Sequence, residues 1–368
     1  SIRYLEHLRH SWNHEHPDAL LDDQELTLTI PASFDPVARE LTAEAARAAG
    51  YDRLTLLEEP QAALYSWIQS SEGAWREQMQ VGDLILVVDV GGGTTDLSLI
   101  AVVEQDGNLE LHRIAVGEHI LLGGDNMDLA LAHGVAGKLA AQGTQLDPWQ
   151  IRALTHGCRA AKELLLVASD QDAVPIVVPS RGSRLIGGSI RTELTREEVT
   201  ATLVEGFFPQ VEASARPVSR PRTGLTQLGL PYAQDAAITR HLAAFLTRQI
   251  GATADLAGIG APAANASFLH PTAVLFNGGV FKSVLLAERI AGRVLEDGPL
   301  LIVRTAVHAG HGDVFARAHV LELGEHGGTD IAVIGDDVHV DRAVPLHHQA
   351  VDGLDVVADR RLGLRGVL

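Results

Sequence analysis

Cysteine, aromatic residues and positive charge are all scarce in this chain. The single cysteine, Cys158, excludes an internal disulfide framework and suits a reducing compartment. Aromatics make up only 4% of the 368 residues, so a core must be built mainly from Leu, Val, Ile and Ala. Lys and Arg total 29 against 47 Asp and Glu, a formal net charge of −18. Such a balance argues against nucleic acid or an anionic membrane as partner, because both require a basic face. No apolar run approaches the roughly 18 residues of a membrane-spanning helix. With no signal-peptide pattern recognised either, the expected location is the cytoplasm. The sequence opens at Ser1 without a methionine, already in helix-like sequence (Ile2, Leu5, Leu8), so its true beginning is expected to lie upstream.

What is present is most informative between Leu84 and Leu99. An apolar run ends on Asp89, then Gly91, Gly92, Gly93, Thr94, Thr95 and Asp96 lead into a second apolar run. Consecutive glycines in a turn leave backbone N–H groups uncovered, so an anion can approach them closely. Asp89 suits Mg²⁺ or its waters, or an attacking water. Thr94 and Thr95 add hydroxyl donors. The pattern reads as a phosphate-binding hairpin turn. Its plainer alternative is a glycine-rich hairpin with no ligand.

At 368 residues with 46% hydrophobic content, the chain can form two lobes. Leu26–Ile30 and Leu54–Leu57 read as strands. Asp35 offers an N-cap with Pro36 at the first helical position, and Val37, Leu41, Ala45 and Ala48 form an apolar stripe ending at Gly50. A helix surrounds Ala62, Leu64 and Trp67, and a further strand runs from Leu109 to Val116. Helices follow over 125–141, 148–167 and 232–250, with β-like sequence at 174–178 and around Ile186 and Ile190. Segments 214–224 and 251–267 read as surface loops. Ala273–Phe276 returns to strand character, followed by Gly278, Gly279 and a helix over about 282–295. Strands alternating with helices argue for an α/β protein. From Gly298 onward there are seven histidines and no lysine, with weak helical periodicity. Scattered histidines seldom bind metal, although His308 with His311 or His347 with His348 have the spacing to do so.

Two further Gly-Gly pairs, Gly123-Gly124 before Asp125 and Gly278-Gly279, each open a helix where backbone N–H groups converge. With Pro31 to Phe34, Ala45 to Gly50, Glu59-Pro60-Gln61-Ala62-Ala63, the Asp89 to Asp96 block and Gly123 to Asp128, their order resembles heat-shock chaperones of the DnaK type. Those chaperones belong to the actin, sugar-kinase and chaperone ATPase superfamily. The resemblance covers residues 1 to about 297. It implies an actin-like ATPase fold with ribonuclease H-like lobes and an incomplete first lobe. Residues 1–83 would belong to the first lobe, 84–120 and 270–297 to the second-lobe core, and 121–269 to a peripheral subdomain. Residues 298–368 would be an atypical, loosely packed tail, from a shifted reading frame or an unrelated fusion.

By the same resemblance, ATP or ADP with Mg²⁺ would bind between the lobes. Asp89 would be the Mg²⁺ and water carboxylate, and Gly91, Gly92, Gly93, Thr94 and Thr95 the phosphate cradle. Glu59 would link hydrolysis to lobe rotation. Gly124 and Asp125 would lie beside ribose and phosphates, Lys162 beside the adenosine, and Gly278 and Gly279 in the other half of the adenosine clamp. Read without the resemblance, Glu59 is an ordinary acid before a helical proline and Lys162 part of a solvated helix face. Arg159 stands where the family has a ribose-binding glutamate and Leu166 where it has a serine, so weaker ADP binding is expected. Lys282 lies near the usual stacking arginine, which a lysine does not replace. The family's first phosphate loop and catalytic lysine would precede Ser1. This implies an ATPase in the intact protein, with activity impaired in this chain and an exposed apolar sheet edge. The implied partners are a co-chaperone or client protein. Alternatives are an actin-like filament-forming cytoskeletal ATPase and a small-molecule kinase.

Overall fold

The computed structural model describes residues 2–294, apart from 72, 106, 168–169, 180–188, 219–232, 255 and 257–267, together with 301–304, 333–334 and 355–358. Its first unit contains α1 (Ile2–Glu15), β1 (Leu26–Ile30), α2 (Pro36–Ala48) and β2 (Leu54–Glu58). Strands β1 and β2 pair in parallel. A core of Leu5, Leu8, Trp12, Leu28, Ile30, Ala46 and Tyr51 fills the space between sheet and helices. Asp35 caps α2 as expected, accepting from the Ala38 N–H at 2.7 Å, with Pro36 at the first position. The buried face of α2 differs from the expected stripe. Val37 and Leu41 are exposed, while Ala43 and Ala46 face the core. Small side chains let the helix lie closer to the sheet than the larger ones would.

The second unit begins with α3 (Glu59–Ser70) and α4 (Trp75–Gln78), then β3 (Leu84–Val90), β4 (Thr95–Gln105) and β5 (Asn108–Val116). Next come α5 (Gly124–Ala141), α6 (Pro148–Val167), β6 (Ala173–Pro179), β7 (Ser189–Thr195) and α7 (Arg196–Thr202). The described chain continues with α8 (Ile238–Arg248), β8 (Ala273–Asn277), α9 (Val284–Val294) and β9 (Leu301–Arg304). The central sheet has the order β5-β4-β3-β8-β9, with β3 parallel to β8 and antiparallel to β4.

Every residue of β3 is buried, which is why its sequence is apolar without alternation. One face carries Leu86, Val88, Leu97 and Leu99 against α5 and its neighbours. The other carries Ile85, Val87, Ile100 and Val102 against Ala63, Leu64 and Trp67 of α3. Helix α3 therefore leaves the first sheet at β2 and packs on the second.

Three sequence expectations change here. The helix expected over 232–250 is shorter, beginning at Ile238, and α7 was not foreseen. The helix after Gly279 starts with a 3-10 turn, Gly279–Lys282, and becomes α-helical at Val284. The edge of β1 is not open: β11 (Asp355–Ala358) pairs with it antiparallel, and β10 (Val333–Ile334) pairs with β11. Strand β9 likewise extends the central sheet beyond residue 297, in parallel with β8. The expected loose packing of the rest of 298–368, and the histidine pairs within it, lie outside the described residues, as does Ile186.

Cys158 sits on α6 with no exposed surface, and burial pushes its thiol up to about 12, with Asp128 adding to the effect. At pH 8 the thiolate, the reactive form, is almost absent. The native chain should release no chromophore from Ellman's reagent over an hour, and one equivalent after urea unfolding. Rapid native labelling would contradict this burial.

Candidate functional site

Asp89 lies at the end of β3, level with Asp96 on one side and Asn277 on the other. Its side chain is nearly buried, and its Oδ2 accepts from Asn277 Nδ2 at 2.8 Å. The turn that follows closes through Gly91 N–H donating to the Thr94 carbonyl at 3.0 Å. The N–H groups of Gly92, Gly93 and Thr94 have no acceptor among the described residues.

The start of α5 fixes the direction of these groups. Gly124 N–H donates to the Gly91 carbonyl at 3.0 Å, and Asp125 N–H donates to the Gly92 carbonyl at 2.7 Å. In a trans peptide the C=O of one residue and the N–H of the next point opposite ways. With both carbonyls turned toward α5, the N–H groups of Gly92 and Gly93 turn away from it together. Two adjacent, co-directed donors make an anion nest. The same bonds correct one expectation. The first N–H groups of α5 hold the turn and are not themselves open to a ligand. Thr95 is corrected for a similar reason. It is wholly buried and its hydroxyl donates to the Leu122 carbonyl at 2.7 Å, so it anchors the hairpin. Strand alternation already placed Thr95 with Leu97 and Leu99 on the α5 face.

Lys162 and Arg159 on α6 turn toward α5. Lys162 Nζ lies 2.8 Å from Asp128 Oδ1, and Arg159 Nε donates to Asp128 Oδ2 at 2.8 Å. Arg159 also pairs with Asp125. Burial raises the Asp125 carboxyl above its ordinary value, against the pull of Arg159. A Cβ on Gly124 would stand 3.7 Å from Lys162 Nζ and 3.6 Å from Val280 Cγ2. Gly278, Gly279 and Val280 therefore meet the start of α5 from the other side. Gly278 has φ +87° and a Cβ there would stand 2.8 Å from Asp89 Oδ1. Asp89, the glycine turn, Gly124, Asp125, Lys162 and Gly278 are thus brought together.

Glu59, the expected relay acid, opens α3 and is nearly buried. The preceding Glu58 was missed, yet it is the carboxylate that two arginines engage. Arg39 of α2 pairs with one of its oxygens and Arg113 of β5 with the other. This clamp joins the two units. The Glu58-Glu59 doublet was the available signal, but only the fold shows which acid is gripped.

Donor chemistry decides what ions fit. Among the described residues no group of three or more His, Cys, Asp or Glu could hold a metal. One carboxylate, one threonine hydroxyl and an anion nest suit a hard cation bound mainly through water and phosphate oxygens. A carboxylate in the position of Asp89 is compatible with Mg²⁺ held in that mode. No described helix is long and apolar enough to cross a membrane.

The chain is 37% identical over 180 residues to the chaperone protein HscA homolog of Bordetella pertussis, covering 48% of this chain and 26% of that protein. It is 37% identical over 151 residues to the Pseudomonas putida HscA homolog, covering 40% and 22%. With the Azotobacter vinelandii HscA homolog the identity is 34% over 213 residues, covering 57% and 29%. The matches thus span roughly a quarter of the length of these curated relatives, and they lend nothing to a filament-forming reading. The model of the Hsp70 protein family matches residues 14–219, more than half of the 368 residues, and this chain belongs to that family.

Proposed function

We propose that this chain is the nucleotide-binding part of an Hsp70-type chaperone with an actin-like ATPase fold. It would bind ATP or ADP with Mg²⁺ between its lobes, hydrolyse ATP, and turn the result into lobe rotation read by a co-chaperone or client protein in the cytoplasm. Residues 1–58 would form the first lobe, 59–120 and 270–304 the second-lobe core, because α3 packs on the second sheet and β9 extends it, and 121–269 its peripheral subdomain. The observation that carries this reading is the turned-out pair of Gly92 and Gly93 N–H groups beside Asp89. They suit phosphate oxygens, with Thr94 as a further donor. Asp89 and Thr94 would hold Mg²⁺, which when bound neutralises phosphate charge. Asp89 would also orient the attacking water, and Glu59 would sense its position. Lys162 would add positive charge beside the adenosine, with Gly124 and Asp125 on one side and Gly278 and Gly279 on the other. Catalysis of this kind is mostly positioning and charge stabilisation.

Calorimetry with MgADP tests the reading directly. Binding is expected, with affinity held down because Arg159 and Leu166 replace a ribose acceptor and a hydroxyl of the family. Lys162→Met should weaken it by about ten- to a hundredfold, since a hydrogen bond to a charged group contributes about 1.5–3 kcal/mol. Asp128 keeps Arg159 in that variant, so the fold should survive. No heat with MgADP at high micromolar concentration would overturn the proposal.

A further inference from the structure

Helix α1 buries Leu5, Leu8 and Trp12, and its opposite face carries His7, His10 and His14, all exposed. At 3.6 residues per turn, His10 and His14 stand about 40° apart, one above the other, on the side away from the buried three. Residues four apart on a helix have Cβ atoms about 5–6 Å apart, so two imidazoles there reach one ion. The spacing His-x-x-x-His on one helix face is the one that helical zinc sites use. His7 lies two turns, roughly 10.5 Å, from His14 and does not join the same ion. The arrangement therefore offers two protein ligands. That is consistent with the described residues holding no metal-binding group of three or more.

The helix itself is held from its other sides. The Tyr51 hydroxyl donates to the Leu5 carbonyl at 2.8 Å, and Trp12 Nε1 donates to the Ala19 carbonyl at 2.8 Å. Leu21 N–H donates to Asn13 Oδ1 at 2.7 Å. Arg9 Nη1 donates to the Ala49 carbonyl at 2.6 Å, and its Nε lies 3.0 Å from Asp22. These bonds leave the imidazoles out. Among the described residues no hydrogen bond or ion pair engages the ring of His10. The His14 ring is 86% exposed, with the Glu15 carboxylate 4.0 Å away. An ion would thus order two side chains on a backbone already fixed, which keeps the entropic cost small. The electrostatics point the same way. His14 lies in the last turn, where the helix dipole favours a cation, and the chain as a whole carries a charge of −18.

We propose that His10 and His14 form a surface site for a divalent late transition ion, Zn²⁺, Ni²⁺ or Cu²⁺, with water in the remaining positions. Imidazole nitrogen suits these ions, whereas Mg²⁺ and Ca²⁺ take oxygen ligands. The site is therefore chemically distinct from the one at Asp89. Ser11 stands where the helical zinc motif of hydrolases has its glutamate base, so the pair lacks the group that would make it hydrolytic. Its action is on the helix. An ion that bridges the two turns when α1 is formed, and not when its end is frayed, favours the formed helix by mass action. Arg9 ties this helix to the end of α2 at Ala49, so holding α1 also steadies the chain where α2 leads into β2. The site does not depend on the nucleotide function proposed above.

Hydrogen exchange of the full chain, with and without Ni²⁺, locates the site through peptides covering α1. At free Ni²⁺ ten times the dissociation constant, exchange that requires the last turns of α1 to open should slow about tenfold. His10→Asn should remove this protection, and calorimetry with Ni²⁺ should lose one binding event. The side chain is exposed, so the urea midpoint without metal should stay where it is. A register control keeps the number of histidines constant. His14→Gln combined with Glu15→His places the second ring about 140° from His10, and the protection should vanish there too. Millimolar Mg²⁺ should neither give the protection nor compete for it. The chain has other histidines, and Ni²⁺ taken up by them gives heat without slowing exchange in α1. Heat with no change in α1 at saturating Ni²⁺ would therefore overturn the site. So would equal protection in the parent chain and the register control.

Discussion

Gly278→Ala is expected to lower stability by about 3 kcal/mol or more and to disturb the site without touching any charged group. Two separate effects add. Gly278 has φ +87° and ψ 154°, a region that side chains avoid and that costs about 1–3 kcal/mol to impose. A Cβ at this position would also stand 2.3 Å from the Val90 carbonyl oxygen and 2.5 Å from its carbon. Those are backbone atoms of a central strand, buried on both faces, and they have nowhere to move. Overpacking of this kind costs about 1–3 kcal/mol more. The strain falls on the end of β3, so Asp89 and its bond from Asn277 should shift with it. Urea denaturation checks the magnitude, with the midpoint falling and the slope unchanged. Gly134→Ala is the control. Gly134 lies inside α5 with nothing within 4 Å of its added Cβ, so alanine there should stabilise by about 0.5–1 kcal/mol. Equal stability of Gly278→Ala and the parent would refute the geometry given for this turn.

The hairpin around Asp89 was legible in the sequence because its signals are local. Two apolar runs, a carboxylate and a glycine turn follow one another, and each constrains its neighbours through backbone geometry alone. Asp35 and Pro36 marked the start of α2 for the same reason. The buried face of α2 was not legible. An alanine-rich helix offers several apolar stripes, and the one that packs is chosen by how closely the sheet lets it approach. Hydrophobic size pointed to Val37 and Leu41, but the space beneath the helix accepts Ala43 and Ala46. Contacts between the two units were hidden altogether. Glu58 with Arg113, and Ser33 with His119, join residues 55 and 86 positions apart, and charge pairs leave no periodic trace. The glycine pairs were read as places where backbone approaches a ligand, and the approach found in the structure is to other backbone. Gly123 leaves room for the Gly91 and Gly92 carbonyls, 2.6 and 2.5 Å from where its Cβ would be. Sequence shows that something must come close to a glycine; it does not say whether that is a ligand or another turn.

Asp89→Asn should separate binding from chemistry more sharply than any other change to the site. The substitution keeps the shape of the side chain, and the Asn277 amide can rotate to present its oxygen to the new NH₂. Stability should therefore stay within about 1 kcal/mol of the parent, the net worth of an ordinary hydrogen bond. Affinity for ADP should change little, because the diphosphate is held by N–H groups of Gly92 and Gly93 that the substitution leaves in place. What disappears is the negative charge that would hold the cation and turn a water toward the terminal phosphate. Removing one preorganised electrostatic contact of this type slows chemistry by about 10²–10³-fold. In the intact protein, single-turnover hydrolysis of radiolabelled ATP should fall by at least about 100-fold against the unsubstituted protein measured under the same conditions, while calorimetry with MgADP shows a change of less than about threefold. Loss of both together would mean that Asp89 shapes the pocket rather than the reaction. Hydrolysis by the parent that survives Asp89→Asn undiminished would move the catalytic carboxylate elsewhere, and with it the assignment of the whole turn.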